Sequence, residues 1–152
     1  MKLLGTGFYW DDLSPGDRFR TYGRTITETD IVNFVAATGM LESLFVDREY
    51  RAAHSAIQGH AAPAMLVISL AEGLVLNATA QGTGLAFLNM EMTVQAPVLV
   101  GDTIHAEIEV IEVRKASKSD RGLVRTRNRI VNQNGVVVIE YSPQRLIAHS
   151  GA

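Results

Sequence analysis

The spacing of apolar side chains along this chain changes period once, near residue 80. Before that point it is helical. Ile31, Phe34, Val35 and Thr38 recur at three- and four-residue steps, which gives a helix one buried face. Thr27-Glu28-Thr29-Asp30 ahead of them offers a hydroxyl to cap the free N–H groups and acidic residues for the first turn, and Gly39 is placed to end the helix. Residues 47–54 predict a second short helix with Asp47 as its cap. From Ala64 to about Asn77 the chain is apolar nearly all round, with Glu72 as its one charge, and Pro63 suits the helix start. Such a helix needs protein on most of its sides.

After Gln81-Gly82-Thr83-Gly84 the period becomes two. Residues 85–94, 103–114, 123–132 and 136–147 predict four strands, and residues 19–25 a further one near the start. In the second of the four, Ile104, Ala106, Ile108 and Val110 alternate with Thr103, His105, Glu107 and Glu109, so one face is buried and one wet. Asn132-Gln133-Asn134-Gly135 is a hairpin turn, and Ser14-Pro15-Gly16-Asp17 a tight one. One apolar helix followed by an antiparallel meander predicts a layered α+β domain whose sheet curls round the helix, the hot-dog arrangement; the alternative, a helix beside a flat sheet, would leave one side of Leu66, Leu70 and Leu74 exposed unless a partner covered it. With no linker, repeat or low-complexity tract, residues 1–152 are expected to form one such domain, and an oligomer that continues the sheet across two chains is expected.

Composition narrows the function classes. A net charge of −2 gives no electrostatic reason to expect nucleic acid or an anionic membrane as partner. The absence of cysteine rules out disulfides, thiolate metal sites and a cysteine nucleophile. The four histidines lack metal-ligand spacing, so no metal site is expected. The N-terminus does not read as a signal peptide, and residues 57–71 are too short and too interrupted to span a bilayer. A soluble cytoplasmic protein is the expectation.

Five segments carry a family likeness. They are the Leu13-Ser14-Pro15-Gly16-Asp17 turn, the Thr27-x-x-Asp30 helix start, the loop Thr38-Gly39-Met40-Leu41-Glu42-Ser43-Leu44-Phe45, the helix Met65-Leu66-x-x-Ser69-Leu70-x-x-Gly73-Leu74, and Ala96-Pro97-Val98-Leu99-Val100-Gly101-Asp102-Thr103. In this order they resemble the MaoC-like, R-specific enoyl-CoA hydratases over roughly residues 11–147. The resemblance implies a hot-dog fold, a dimer or higher oligomer, and a pocket for a CoA or acyl-carrier thioester, with no separate cofactor. The family's loop reads S/T-G-D-x-N-P-L-H, and its Asp and His together add water to a trans-2-enoyl thioester. A main-chain N–H at the start of the apolar helix polarises the thioester carbonyl. Here Met40 stands at the Asp position and Phe45 at the His position, and Ala61-Ala62-Pro63-Ala64 replaces the family's Ile-x-His-Gly. Pro63 has no N–H, but Ala64 or Met65 retains one for the carbonyl oxygen.

With that pair gone, other side chains become candidates. Glu42 stands two positions after Met40; in an apolar loop its carboxylate would be an acid or base, and otherwise it is a solvated loop glutamate. Glu72 must be paired, protonated, at the pocket, or on an edge of the helix turned to solvent or an interface. His60, just before the apolar helix, is placed to stand in for the lost imidazole, or is a loop histidine without a task. Arg48, Arg51, Arg125, Arg127 and Arg129 are candidate contacts for CoA phosphates; the last three share a strand face, where the plainer reading pairs them with Glu107 and Glu109.

The expected function is a MaoC-like acyl-thioester hydratase or dehydratase with a non-standard acid–base set. Glu42 leads that set, with His60 behind it, and Ala64, Met65 and Glu72 bind substrate. One alternative is a non-catalytic acyl-CoA-binding subunit paired with a competent hot-dog chain. Another is a hot-dog acyl-CoA thioesterase.

Overall fold

Two of the helices begin at a side chain that caps them. The computed structural model describes Met1 and residues 3–151. Helix α1 (Glu28–Thr38) opens with a reciprocal cap: the Thr27 hydroxyl accepts from the Asp30 amide, and the Asp30 carboxylate accepts from the Thr27 amide at 2.9 Å. It closes on Gly39, whose φ of 72° is the left-handed conformation that glycine adopts without strain. A single turn follows, α2 (Ser43–Val46), which periodicity did not predict because four residues are too few to show a period. Helix α3 (Arg48–His54) is capped by Asp47, which accepts from the Tyr50 amide. Helix α4 (Ala64–Thr79) starts directly after Pro63.

Among the described residues, eight strands form one sheet. They are β1 (Arg18–Arg20), β2 (Arg24–Thr25), β3 (Gly84–Asn89), β4 (Met92–Val94), β5 (Thr103–Lys115), β6 (Gly122–Val131), β7 (Val137–Tyr141) and β8 (Gln144–Ile147). Three of the five predicted strands are each divided in two. The strand expected over 19–25 becomes β1 and β2, both paired with β5. The last predicted strand breaks at Pro143, which cannot donate to a ladder. Its halves, β7 and β8, both pair with β6. The strand expected over 85–94 divides to match, β3 pairing with β8 and β4 with β7. The Asn132–Gly135 turn is present, with the Asn132 carboxamide oxygen accepting from the amides of Asn134 and Val136.

The sheet cradles α4 from one side. Leu66, Val67, Ile68, Ala71 and Val75 are buried, together with Ile104, Ala106, Ile108, Ile130, Val138 and Ile139 from the sheet. This is the expected α+β layering. The other side of α4 is open within one chain: Met65 is 47% exposed and Leu76 40%, with Ser69 and Gly73 also exposed between them. The expectation that this helix is covered on most sides is therefore corrected for the isolated chain. Beside that open side runs β3, exposed along its length, with Leu85, Phe87 and Leu88 each about half exposed. Among the described residues, β3 has a strand partner on one edge only.

Candidate functional site

The overhang formed by α2, α3 and the loop to α4 brings the candidates Arg48, Arg51 and His60 to one cleft, with Glu42 at its start. Met40 and Phe45 are half-buried and pack against the main apolar cluster that includes Ile31, Val35 and Leu66. The two side chains that the resemblance aligns with the family's proton-transfer pair thus pack against the core. Glu42 sits at the start of α2, where its carbonyl accepts from the Phe45 and Val46 amides. Its side chain is exposed and makes no hydrogen bond among the described residues. The loop does not bury this carboxylate, because Met40 and Phe45 take the inward positions and leave Glu42 facing water.

His60 lies on the inner side of the overhang with its side chain only 16% exposed. Its Nδ1 is 3.8 Å from the Glu28 carboxylate of α1. Its Nε2 is buried and has no hydrogen-bond partner among the described residues. Burial pulls the imidazole pKa below its ordinary 6.5, and the nearby Arg51 charge acts in the same direction; Glu28 and the Phe45 carbonyl oppose them. His60 is therefore a neutral imidazole at neutral pH, close to the backbone of Phe45.

The entrance to α4 is three residues further on. The Val100 amide donates to the His60 carbonyl at 2.9 Å and the Ala62 amide to the Val98 carbonyl at 2.8 Å, which fixes the approach. The Leu66 and Val67 amides donate to the Pro63 carbonyl. The Ala64 and Met65 amides have no acceptor among the described residues. Two free donors at the positive end of a 16-residue helix form a site suited to a developing oxyanion.

Glu72 faces the sheet further along α4. Its carboxylate accepts from the Tyr141 hydroxyl at 2.6 Å and pairs with the Arg145 guanidinium. Tyr141 is buried, and burial together with the Glu72 charge pushes its phenol well above the ordinary value of 10, so it remains a donor. Arg145, 8% exposed, lies over the Phe87 ring, and Asn128 is fully buried nearby on β6 with no hydrogen-bond partner among the described residues for its carboxamide. Of the possible states of Glu72, pairing is the one present. The sequence analysis missed both partners. The signal was there: alternation through 141–147 puts Arg145 on the inward face with Tyr141 and Ile147, and an inward arginine calls for a carboxylate.

Of the arginines of β6, Arg127 alone makes an ion pair of the plainer reading among the described residues, with Glu109 at 3.8 Å. Arg127 lies opposite Glu109 and Arg129 opposite Glu107, Arg129 also pairs with Glu140 at 3.0 Å, and Arg125 donates to the Ser142 carbonyl and the Asn89 side chain. Among the described residues, no helix is long and apolar enough to cross a membrane.

Comparisons with known proteins agree with this architecture. The MaoC-like domain model matches residues 12–134. Protein MaoC of Klebsiella aerogenes is 33% identical over 114 residues, 74% of this chain but 33% of that protein, so the chain spans about a third of its length. The (R)-specific enoyl-CoA hydratase of Aeromonas caviae is 29% identical over 110 residues, 72% of this chain and 78% of that protein. Among solved structures, the monoamine oxidase regulatory protein of Archaeoglobus fulgidus superposes with a TM-score of 0.84 at 29% identity, covering 95% of this chain and 97% of the other. A Mycobacterium tuberculosis protein with a double hot-dog fold superposes with a TM-score of 0.83 at 25% identity, covering 95% of this chain but 45% of the other. A curved sheet round one long helix, matched to half of a double hot-dog, defines this chain as a hot-dog domain. It belongs to the MaoC-like domain family.

Proposed function

We propose that this chain is an acyl-thioester hydratase or dehydratase in which His60 carries the proton. The observation behind this reading is the neutral His60 ring with an unpartnered, buried Nε2, near the Phe45 backbone and four residues before the first free amide of α4. One imidazole suffices for the chemistry. Nε2 takes a proton from water as the water oxygen bonds to C3 of the enoyl thioester, and the carbonyl oxygen holds the resulting charge against the Ala64 and Met65 amides. The proton then passes from Nε2 to C2, giving the 3-hydroxyacyl thioester; the reverse sequence expels water. The relatives matched above include an (R)-specific enoyl-CoA hydratase, which supports a thioester as substrate. Glu42 is the second candidate for the proton, from the water-facing side.

The test is a panel of enoyl- and acyl-CoA substrates read for both double-bond hydration and thiol release. Hydration that falls about 10²–10⁴-fold in His60→Gln and stays unchanged in Glu42→Gln supports the assignment. A loss confined to Glu42→Gln moves the role to Glu42, and thiol release without hydration replaces the reading with a thioesterase.

A second reading is a non-catalytic acyl-CoA-binding subunit. It is favoured by Met40 and Phe45 lying in the core and by the open flank of β3 and α4, which a second hot-dog chain of the same or another sequence would cover. Under this reading the chain alone hydrates nothing, and activity appears only with a competent partner chain.

A further inference from the structure

We infer that Glu28, the first residue of α1, is the positioning residue of His60: it holds the ring proton on Nδ1, leaves Nε2 as the basic nitrogen, and offsets the positive charge that forms when Nε2 takes a proton. The inference rests on the reading of His60 as the proton carrier. The geometry is one-sided. Glu28 Oε1 lies 3.8 Å from Nδ1, whereas Nε2, on the other edge of the ring, is buried without a hydrogen-bond partner among the described residues. A neutral imidazole carries its one proton on either nitrogen, and a carboxylate favours the nitrogen nearer to it. At 3.8 Å it acts through its charge and not through a direct hydrogen bond. The water-activating step needs this tautomer, because Nε2 must meet the water with its lone pair free.

Both members of the pair are fixed by their backbones. The His60 carbonyl accepts from the Val100 amide, and Glu28 follows the reciprocal cap made by Thr27 and Asp30. The two carboxylates of this first turn have different tasks. Asp30 is committed to the cap and to Arg24 at 2.8 Å. Glu28 pairs with no lysine or arginine among the described residues, so His60 is the cationic group it is placed to meet. The charged groups facing the ring come from two helices. Glu28 is on α1, and Arg51 is on α3, anchored by its bond to the Leu44 carbonyl. Arg48 borders the same cleft but points outward, 85% exposed beside Glu49. Helix α2 and residues 98–100, which also pack here, carry no charge. Burial is the main force against a charged ring; Arg51 adds to it and Glu28 opposes it. The basicity of Nε2 is thus trimmed from opposite sides, and removing either charge should move it in opposite directions.

The experiment follows the isotope-labelled ring nitrogens of the full chain by NMR, with His60→Gln assigning the His60 signals among the four histidines. In the wild type the neutral ring carries its proton on Nδ1. Its titration moves to lower pH in Glu28→Gln and to higher pH in Arg51→Gln, and stays in place in Glu112→Gln, whose carboxylate pairs with Arg114 on β5. Glu28→Gln is the decisive variant, because Glu28 is 72% exposed and its side chain makes no other contact that the fold needs. The acid limb of kcat/KM for hydration moves in the same directions, and the rate at neutral pH falls about two- to fivefold in Glu28→Gln. Glu28→Asp, which keeps the charge, restores the wild-type limb. A merely structural role for Glu28 would lower the rate without moving the limb, and that result overturns the inference. So does a wild-type ring protonated on Nε2, or a titration unchanged in Glu28→Gln. If the ring titrates as stated while no thioester is turned over, the positioning stands and the function reading fails. If hydration requires His60 while neither the titration nor the limb responds to Glu28→Gln, the function stands and the positioning fails.

Discussion

Glu72 and His60 both sit out of bulk water, yet their situations are opposite. Glu72 is committed to two partners, Tyr141 and Arg145. Removing its charge leaves a largely buried guanidinium unpaired, so Glu72→Gln should cost about 2–4 kcal/mol in urea unfolding. The double variant Glu72→Gln/Arg145→Met should recover much of that loss. Equal stability of wild type and Glu72→Gln would show that the pair contributes nothing. His60 has a nitrogen to spare, and its depressed pKa has a stability consequence of definite sign. Its contribution is fully present above 6.5, the ordinary value, and falls away as pH drops towards the lowered folded value, because the unfolded chain takes up the proton first. His60→Gln should therefore flatten the decline in melting temperature just below pH 6.5; an unchanged profile would mean the ring is not held neutral by the fold.

The elements show how much could be read from the chain and where reading stopped. Helices α1, α3 and α4 and the Asn132–Gly135 turn were legible, since a cap, a glycine or an apolar run marks each. The divided strands were not: Pro143 is visible, but the matching break near Met90 follows from pairing, which a linear pattern does not carry. Of the candidate site, the amides at the start of α4 were expected from the family resemblance and His60 from its place just before that helix. The exposure of Glu42 and the partners of Glu72 depend on which residues meet across the fold. Gly122 is another such case. A Cβ there would overlap the Trp10 ring, whose indole N–H donates to the Asp120 carbonyl at 2.8 Å. Gly122→Ala should lower stability by about 1–3 kcal/mol through forced displacement of that ring, checked by chemical denaturation and tryptophan fluorescence. A neutral outcome would show that the N-terminal segment shifts freely.

At the scale of the molecule, the unfinished surface is the flank made by β3 and the outer side of α4. Leu85, Phe87 and Leu88 on an edge strand, the first two bordering a groove with Leu76, are poorly suited to lasting exposure. A second chain joined along β3 would continue the ladder and cover this flank. Leu85→Lys should shift the protein towards monomer in analytical ultracentrifugation and make its melting temperature less dependent on protein concentration. A monomeric wild-type chain would remove the basis for both the prediction and the subunit reading. The overhang, by contrast, is already closed on itself: Arg51 grips the Leu44 carbonyl, and the Asp47 amide is tied back to the Ser43 carbonyl. A ligand arriving there meets a finished wall and not a gate that must first swing shut. Capture should accordingly be a one-step event, its observed rate rising in a straight line with ligand concentration and never reaching a plateau.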